Sequence, residues 1–289
     1  MRLVVTGACG QLAQSLGERI PRDDDFKLIF LGRPQIDLEI PGSAAGAIKK
    51  ATPDVVIHTA AYTAVDAAES EPERAFRINA DAAGEVAAAA AEIGAAVVHI
   101  STDYVFDGSK CEPYAEGDPV NPLGVYGRSK LAGEEQVRGA NPRHAIVRTA
   151  WIYSPFGQNF VKSIIAAAAI RESLSVVDDQ RGNPTCSLDV ADGLFAMLKV
   201  GGGWGETYHL AGRGVATWCE LAREIMSHCA HLGIPNVPVH AIRSEDWPTR
   251  AVRPRNSQLD SSKFEDAFGL LMPDWRLSVR TVVERLAKA

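Results

Sequence analysis

The stretch Arg2-Leu3-Val4-Val5-Thr6-Gly7-Ala8-Cys9-Gly10-Gln11-Leu12-Ala13 decides the fold. Its apolar first half predicts a strand over Arg2–Thr6, and residues 11–20 have the pattern of a helix. Between the two, Gly7 and Gly10 allow a tight turn whose backbone can approach a pyrophosphate at a helix N-terminus. This position after a strand and before a helix favours a dinucleotide site over a purely structural turn.

Downstream of this turn, apolar strands alternate with helices. Further strands are predicted at residues 27–31, 54–58, 96–101 and 145–149, and helices at residues 43–51, 73–93 and 129–137. Fully apolar strands separated by helices indicate a parallel sheet that is covered on both faces. The predicted fold class is therefore α/β, with a Rossmann-type, doubly wound parallel sheet.

After residue 151 the alternation becomes less regular. Helices are predicted at residues 159–171, 188–199, 218–232 and 276–287, with loops that contain Gly and Pro between them. A length of 289 residues is consistent with about two domains. We predict a dinucleotide-binding domain over residues 1–150 and a smaller α/β substrate domain over residues 151–289. The two are interleaved, because part of 187–215 can return to the main sheet.

The composition is that of an ordinary globular protein, with 46% hydrophobic and 23% charged residues. Thirty basic against 36 acidic side chains give a net charge of −6, which argues against nucleic acid or an anionic membrane as a partner. No apolar run approaches the ~20 residues of a membrane helix. Five scattered cysteines indicate reduced thiols, so we expect a cytoplasmic protein.

A constellation for proton transfer follows the glycine turn. Tyr126 and Lys130 lie one helical turn apart, and the ammonium is expected to draw the pKa of the phenol from about 10 toward neutral pH. Thr102 follows the strand at 96–101, at the edge where parallel sheets bind ligands, and can polarise a carbonyl for hydride attack. Thr102, Tyr126 and Lys130 are the predicted catalytic residues of a carbonyl reductase.

The residues after the second strand bear on the choice of cofactor. Dinucleotide sites often carry a carboxylate there, whereas this chain has Gly32 and Arg33. A guanidinium suits a 2′-phosphate, so we predict NADPH as the cofactor, with NADH as the alternative. Arg33 as a solvated loop residue is the other interpretation. Asp37 and Leu38 are predicted to flank the adenine.

Longer motifs extend over nearly the whole chain. They are Gly7-x-x-Gly10-Gln11-Leu12, Ala61-Tyr62-Thr63-Ala64-Val65-Asp66-x-Ala68-Glu69, Ser101-Thr102-Asp103-Tyr104-Val105-Phe106-x-Gly108, Tyr126-Gly127-x-x-Lys130-Leu131-Ala132-Gly133-Glu134, Asp179-Gln180-x-Gly182-x-Pro184-Thr185 and Arg253-Pro254-x-Asn256-Ser257-x-Leu259. On these motifs the chain resembles the extended short-chain dehydrogenases/reductases, and within them the dTDP-4-dehydrorhamnose reductases.

The resemblance implies a role for each matching residue. Tyr126 is the general acid, Lys130 is its partner and a ribose ligand, and Thr102 orients the 4-keto oxygen, with Asp103 beside it at the sugar. The implied cofactor contacts are Gly10, Gln11 and Leu12 at the phosphates and Ala61, Tyr62 and Thr63 at the adenosine. Trp151 is expected to form a wall of the sugar pocket, with a core tryptophan as the alternative, and Asn79 supports the site.

A basic loop fits the substrate that the resemblance implies. Arg250, Arg253 and Arg255 lie close together in an acidic chain, and guanidinium groups bind phosphate oxygens bidentately. We predict that Arg253 and Arg255 bind the diphosphate of a dTDP-sugar. The alternative is a solvated loop that pairs with Glu245 and Asp246.

The sequence departs from some members of the family at the positions of metal ligands. Some of these reductases bind Mg²⁺ and dimerise through acidic residues, but here the corresponding stretches read Gln14-Ser15 and Ser187-Leu188. Hard cations need oxygen ligands, so we predict no metal and a monomer or weak homodimer. The segment His228-Cys229-x-His231 is interpreted as ordinary polar residues near a helix end.

The implied activity is the NADPH-dependent reduction of the C4 keto group of dTDP-4-dehydro-L-rhamnose to dTDP-L-rhamnose. One alternative is a 4-ketoreductase for another nucleotide-6-deoxysugar isomer. Another is a catalytically idle regulatory subunit of the same fold, although intact Thr102, Tyr126 and Lys130 argue against it. Tyr104 follows Asp103, where the related dehydratases carry Glu, and this disfavours dehydration.

Overall fold

The computed structural model describes residues 1–22 and 25–288. The strands are β1 (Arg2–Thr6), β2 (Lys27–Leu31), β3 (Val55–His58), β4 (Ala96–Thr102), β5 (His144–Thr149), β6 (Ile152–Tyr153), β7 (Leu174–Val177), β8 (Arg181–Gly182), β9 (Thr185–Cys186), β10 (Glu206–His209), β11 (Ala216–Thr217) and β12 (Val239–Ile242). The helices are α1 (Gln11–Arg19), α2 (Ser43–Ala51), α3 (Val65–Ala68), α4 (Pro72–Phe76), α5 (Ala82–Glu92), α6 (Val125–Ala140), α7 (Phe160–Ala168), α8 (Ser187–Lys199), α9 (Trp218–His231), α10 (Ser262–Phe268) and α11 (Trp275–Leu286).

The main sheet of the described residues has six parallel strands in the order β2-β1-β3-β4-β5-β10. The direction of strand addition reverses between β1 and β3. Open parallel sheets bind ligands at such a reversal, beyond the carboxyl ends of the strands. The predicted doubly wound, Rossmann-type sheet is confirmed.

Both faces of this sheet are buried. Side chains alternate along a strand, so Leu3 and Val5 of β1 pack with α1 and α8, whereas Val4 packs with α2 and α5. The alanines of α5 are buried, and their small side chains let this helix lie close to the sheet. Two dry faces explain why the strands are continuous apolar runs in the sequence.

The second half of the chain contributes to the main sheet and builds a separate core. Strand β10 pairs with β5, with His209 opposite Arg148. A second apolar cluster gathers α7, α9 and α11 around β7. Short ladders join β6 to β9, β7 to β12 and β8 to β11. The domain limits 1–150 and 151–289 stay a prediction.

The helical region predicted at 73–93 is divided into three parts. Helix α4 runs into a π-helical turn at Arg77–Asp81, which continues into α5. π-turns are rare and are frequent near functional sites. Helix α6 begins at Val125, earlier than predicted, so Tyr126 lies in its first turn. Within the described residues, none of the helices has the length and hydrophobicity that a bilayer-spanning segment requires.

Two glycines bring α6 into direct contact with neighbouring backbone. A Cβ atom at Gly133 would stand 2.0 Å from the carbonyl oxygen of Asn79, which belongs to the π-turn. A Cβ atom at Gly127 would stand 2.2 Å from the carbonyl oxygen of Tyr104. Both contacts are with backbone atoms, so the chain has no flexible side chain that could move aside.

We therefore expect Gly133→Ala to destabilise the protein by roughly 1–3 kcal/mol, because the added methyl group forces α6 away from the π-turn. Gly139→Ala is the matched control on the same helix, since a Cβ at Gly139 meets no atom within 4 Å. That control should be neutral or stabilising by up to about 1 kcal/mol, because alanine is the better helix former. Urea unfolding measures both, and equal effects would show that the close contact at Gly133 is unimportant.

Candidate active site

The glycine turn lies between β1 and α1 and leaves backbone amides accessible. Gly7 has φ +79°, and a Cβ there would stand 3.0 Å from the Cα of Ala60. The amide of Gly10 donates to the Gly7 carbonyl over 2.8 Å, which closes the turn before α1 begins at Gln11. The first amides of a helix lack partners within the helix, so this end suits an anion.

Two adjoining cavities lie beside the turn. The larger, about 720 Å³, is lined by the glycine turn, residues 100–103, Tyr126, Lys130 and Trp151. The smaller, about 290 Å³, is lined by Arg33, Asp37, Leu38 and Tyr62 and shares Gly7 and Ala61 with the first. The predicted cofactor and catalytic residues therefore meet along one continuous groove, whose size suits a dinucleotide and a second ligand.

Thr102 and Asp103 lie at the carboxyl end of β4. The Thr102 hydroxyl donates to Oδ1 of Asp103 over 3.0 Å and accepts from the amide of Tyr104 over 3.2 Å. Among the described residues, Oδ2 of Asp103 is buried without a hydrogen-bond partner. Burial raises the pKa of Asp103 to about 7, and the nearby hydroxyls of Ser257 and Thr102 oppose this only in part. The carboxyl group thus retains an acceptor for a ligand hydroxyl.

Tyr126 is half-buried beside Thr102 and lines the larger cavity. Burial raises the pKa of its phenol to about 12, and a hydrogen bond with Thr102 lowers it only in part. In the protein without a cofactor, loss of hydration disfavours the phenolate more than nearby groups favour it, and the lowering expected from Lys130 stays a prediction. Near neutral pH the phenol is therefore protonated, which is the form that can give a proton to a ligand.

Lys130 is almost fully buried, one turn along α6 from Tyr126. Its ammonium donates to the carbonyl of Ile100 over 2.7 Å and lies 3.4 Å from Nε2 of His99. Burial lowers the pKa of Lys130 to about 8, and the carboxylate of Glu134 opposes this. Since an ammonium has three donors, one remains for a ligand in the cavity that Lys130 lines.

Asn79 holds the first turn of α6 from the side of the π-turn. Its Nδ2 donates to Ser129 Oγ over 2.9 Å and to the carbonyl of Tyr62 over 3.0 Å, and its Oδ1 accepts from the amide of Tyr62 over 2.8 Å. Ser129 in turn donates to the carbonyl of Tyr126. Asn79 thus links the helix that carries Tyr126 and Lys130 to the segment predicted to contact adenosine.

A buried ion pair that the sequence analysis missed lies behind Lys130. Glu134 accepts two hydrogen bonds of 2.8 Å from Arg148 on β5 and one of 2.6 Å from Ser101 on β4. Burial would raise the pKa of Glu134, but the hydrogen bonds from Arg148 hold it below its ordinary value. The pair fixes α6 against the centre of the sheet.

Gln11 connects the glycine turn to the second half of the chain. Its Oε1 accepts hydrogen bonds from Ser154 Oγ over 2.7 Å and from Asn159 Nδ2 over 3.0 Å. Asn159 also caps α7 by accepting from the amide of Lys162. With its oxygen engaged, the amide group of Gln11 offers its NH₂ donors to a ligand in the cavity that it lines.

At the other end of the groove, Arg33 is held by carboxylates. Its guanidinium binds Asp37 at 2.9 and 3.0 Å and Glu39 at 2.6 Å, and Arg74 binds Glu39 at 2.9 Å. Arg74 also lies over the ring of Tyr62. The predicted phosphate contact of Arg33 and adenine contacts of Asp37 and Leu38 stay predictions.

Trp151 has a strained backbone and a fixed ring. Its φ of +47° is unusual for a residue with a side chain, and its indole stacks on Trp218 with 3.5 Å between ring centroids. A Cβ atom at Gly182 would stand 2.5 Å from this indole, so only glycine fits there. Trp151 lines the large cavity, as a pocket wall would.

The basic loop pairs with an acid that the sequence analysis did not consider. Arg253 binds Asp66 at 2.7 Å, rather than Glu245 or Asp246. Arg255 is exposed. Neither arginine is among the residues that line the larger cavity, and their predicted contacts with a diphosphate stay predictions.

Comparison with known proteins identifies close relatives over the full length. A family model described as the RmlD substrate binding domain matches residues 1–288. A dTDP-4-dehydrorhamnose reductase of Sinorhizobium fredii is 43% identical, over 98% of this chain and 97% of that protein. The crystal structure of a dTDP-4-dehydrorhamnose reductase from Clostridium acetobutylicum has a TM-score of 0.92 and 35% identity, over 99% of both chains. That of the Bacillus anthracis dTDP-4-dehydrorhamnose reductase in complex with NADP has a TM-score of 0.91 and 34% identity, over 98% of this chain and 99% of that chain.

The ion pair behind Lys130 gives a stability prediction. Glu134→Gln is expected to lower the free energy of unfolding by about 3–5 kcal/mol, because it leaves the Arg148 charge buried without a counter-ion. Arg138 also binds Glu134, at 2.9 Å, but its side chain is 36% exposed. Arg138→Gln should therefore lower the free energy of unfolding by at most about 1 kcal/mol. Chemical denaturation at neutral pH compares them. Similar losses for both variants would contradict the importance assigned to burial.

Proposed function

The chain belongs to the RmlD substrate binding domain family, and from this we propose that it uses NADPH to reduce the C4 keto group of dTDP-4-dehydro-L-rhamnose, giving dTDP-L-rhamnose. The observation that carries the proposal is the meeting of Thr102, Tyr126 and Lys130 with the glycine turn around one cavity. A hydride acceptor held there would have a proton donor, a carbonyl ligand and a cation within one site.

The residues present fit a dinucleotide. The turn at Gly7 and Gly10 and the N-terminus of α1 would hold the pyrophosphate, together with Gln11 and Leu12. Lys130 would bind ribose hydroxyls with its third N–H group, because the other two contact Ile100 and His99. When bound, NADPH supplies a hydride for the C4 carbon of the sugar.

The adenosine would occupy the smaller cavity. Ala61, Tyr62 and Thr63 would contact the adenosine, and Leu38 would pack on the adenine. Arg33 would bind the 2′-phosphate after exchanging one of its carboxylate partners, and Arg74, which shares Glu39 with it, brings a second guanidinium to the same place. Two guanidiniums that can exchange these carboxylates for a phosphate support NADPH over NADH.

The chain's own residues would then complete the reduction. Thr102 turns its single hydroxyl proton from Asp103 Oδ1 to the keto oxygen O4 and draws electron density away from C4. As the C4–H bond forms, the π electrons of the carbonyl move onto O4, and the phenol of Tyr126 transfers its proton to that oxygen. The charge of Lys130 stabilises the phenolate that remains, so the alcohol product leaves as a neutral hydroxyl.

Other residues would orient the sugar nucleotide. Oδ2 of Asp103, which lacks a protein partner, would accept a hydrogen bond from a sugar hydroxyl. Trp151 would cover one face of the sugar ring. Arg253 and Arg255 would bind the diphosphate, for which Arg253 exchanges Asp66 for a phosphate oxygen.

The proposal includes no Mg²⁺ at the first helix. Ser15 and Ser187 share a buried hydrogen bond of 2.6 Å there, and the neighbouring Leu188 is apolar. A pair of neutral hydroxyls that already satisfy each other is a poor donor set for a hard dication. A monomer or weak homodimer in the cytoplasm stays a prediction.

Tyr126→Phe tests the proposed acid. It should lower turnover about 10²–10⁴-fold, because the proton donor is removed, while the affinity for NADPH stays within a few-fold. Tyr153→Phe is the matched control, since that buried hydroxyl binds the Trp275 carbonyl and does not line the cavity. The assay follows NADPH oxidation in the presence of dTDP-4-dehydro-L-rhamnose.

Turnover of Tyr126→Phe close to that of Tyr153→Phe would refute the assignment of the acid. Analysis of the product by NMR then gives the configuration at C4. Another configuration would indicate a reductase for a different isomer. Binding of NADPH without oxidation of any nucleotide sugar would indicate the idle subunit.

The rate should also fall as the pH rises through about 8. The reaction requires the charged form of Lys130, and this buried ammonium has a pKa of about 8, well below that of the Tyr126 phenol. Lys130→Arg keeps its charge at all accessible pH values, so this limb of the kcat/KM profile should disappear, although the rate itself is lower. An unchanged limb in that variant would assign it to another group.

A further inference from the structure

A buried pair of imidazoles lies behind Lys130, and the reaction proposed above does not use it. His58 on β3 and His99 on β4 are opposite each other in the sheet, with ring centroids 5.3 Å apart and planes inclined by 22°. Their relative exposures are 1% and 0%. Nε2 of His99 lies 3.4 Å from the ammonium nitrogen of Lys130.

The chemistry of this contact fixes the state of His99. An ammonium can only donate, so Nε2 must be the acceptor and the ring proton must be on Nδ1. That Nδ1 is buried and has no hydrogen-bond partner among the described residues. In His58, Nδ1 shares a hydrogen bond of 2.8 Å with Thr6 Oγ1, and Nε2 is the buried nitrogen without a partner among the described residues; this ring makes no hydrogen bond with Lys130.

A buried N–H group without a partner lowers the stability of the folded chain. An apolar side chain of similar size would fill the same space without that penalty. Among the described residues, the polar group that the His99 ring contacts is the ammonium of Lys130. The reason for an imidazole at this position is therefore this contact.

We propose that His99 is a positioning residue whose neutral Nε2 holds the ammonium of Lys130. Together with the carbonyl of Ile100 it engages two of the three donors, and the third N–H is left in one fixed direction toward the cofactor ribose and Tyr126. The catalytic consequence of this arrangement rests on the function proposed above, whereas the contact itself does not.

Burial, aided by the surrounding charges, keeps His99 neutral, as this role requires. Burial lowers the pKa of His99 well below its ordinary value, and the charge of Lys130 adds to the effect. His58 on β3 is also neutral, because burial lowers its pKa to about 3. The other charged groups that face Lys130 and His99 are Glu134 and Arg138 on α6, with Arg148 on β5 bound to Glu134. The carboxylate of Glu134 raises the pKa of Lys130, so the pH at which Lys130 loses its proton reports on both Glu134 and His99.

The test compares His99→Leu, which removes the acceptor, with His99→Gln, whose amide oxygen can replace Nε2. His58→Leu is the matched control, because it removes the stacked imidazole but no contact with Lys130. The first readout is the titration of Lys130 in the protein without NADPH, followed by the ¹³Cε and ¹⁵Nζ chemical shifts and assigned with Lys130→Arg. The second is the pH profile of kcat/KM.

In His99→Leu, Lys130 is expected to lose its proton at lower pH, because the charged form has lost a hydrogen bond. The alkaline limb should move with it, and kcat/KM should fall about tenfold at neutral pH, as for a lost hydrogen bond to a charged group. His99→Gln should keep the wild-type titration, and His58→Leu should change neither readout. The stability lost in His99→Leu should be smaller above the pH at which Lys130 loses its proton, because the acceptor is needed most by the charged ammonium, whereas the loss from removing a purely structural histidine would not depend on that pH.

A wild-type titration of Lys130 in His99→Leu, or an equal shift in His58→Leu, would overturn the proposal. His99→Met provides a second apolar variant if His99→Leu does not fold. If the wild-type protein reduces no nucleotide sugar, the proposed function fails, but the titration of Lys130 still decides whether His99 holds its ammonium.

Discussion

The contact of α6 with bare backbone is the constraint on which the site depends. Gly127 and Gly133 flank Lys130, and each lies against a carbonyl oxygen with no room for a methyl group. Backbone on both sides makes the spacing rigid, because nothing between them can change rotamer. Tyr126 and Lys130 therefore lie at a fixed distance from the carboxyl edge of the sheet. The contact of α6 with the π-turn that carries Asn79 determines this distance. The two glycines are thus part of the site because they allow the close backbone contact, although they have no side chain that could bind a ligand.

Burial has opposite consequences for the two functional groups of this helix. It makes proton loss harder for Tyr126, whose pKa rises to about 12, and easier for Lys130, whose pKa falls to about 8. The phenol is thereby kept as an acid, while the ammonium is kept charged only with help from neighbouring groups. Glu134, one turn further along α6, supplies part of that help, and Arg148 prevents Glu134 from being a lone buried charge. Lys130, Glu134 and Arg138 on this helix, together with Arg148, form one electrostatic unit.

The sheet could be predicted from sequence because burial on both faces leaves a local signature, and the glycine turn and Tyr126 motif carry theirs within a few residues. The partners in the ion pairs could not be predicted from the sequence. Arg33 binds Asp37, four residues away, yet Arg253 binds Asp66, nearly two hundred residues away, and only the folded chain brings those two together. The two-residue strands are too short to show alternation. Glu134 was within reach, since it continues the four-residue spacing of Tyr126 and Lys130, whereas His99 lies in an apolar strand and resembles an ordinary core residue.

The acidic total charge was the wrong scale for deciding whether this chain binds anions, because the features that suit phosphates are local. The turn at Gly7 presents amides without any net charge, and Gln11 contributes a neutral amide. That amide is oriented by Ser154 and Asn159 of the second half of the chain. An anion bound at the turn would therefore contact a side chain whose position is set by the segment next to Trp151. These hydrogen bonds of Gln11 join the end of the groove at the glycine turn to the end at Trp151, so neither end is built independently of the other.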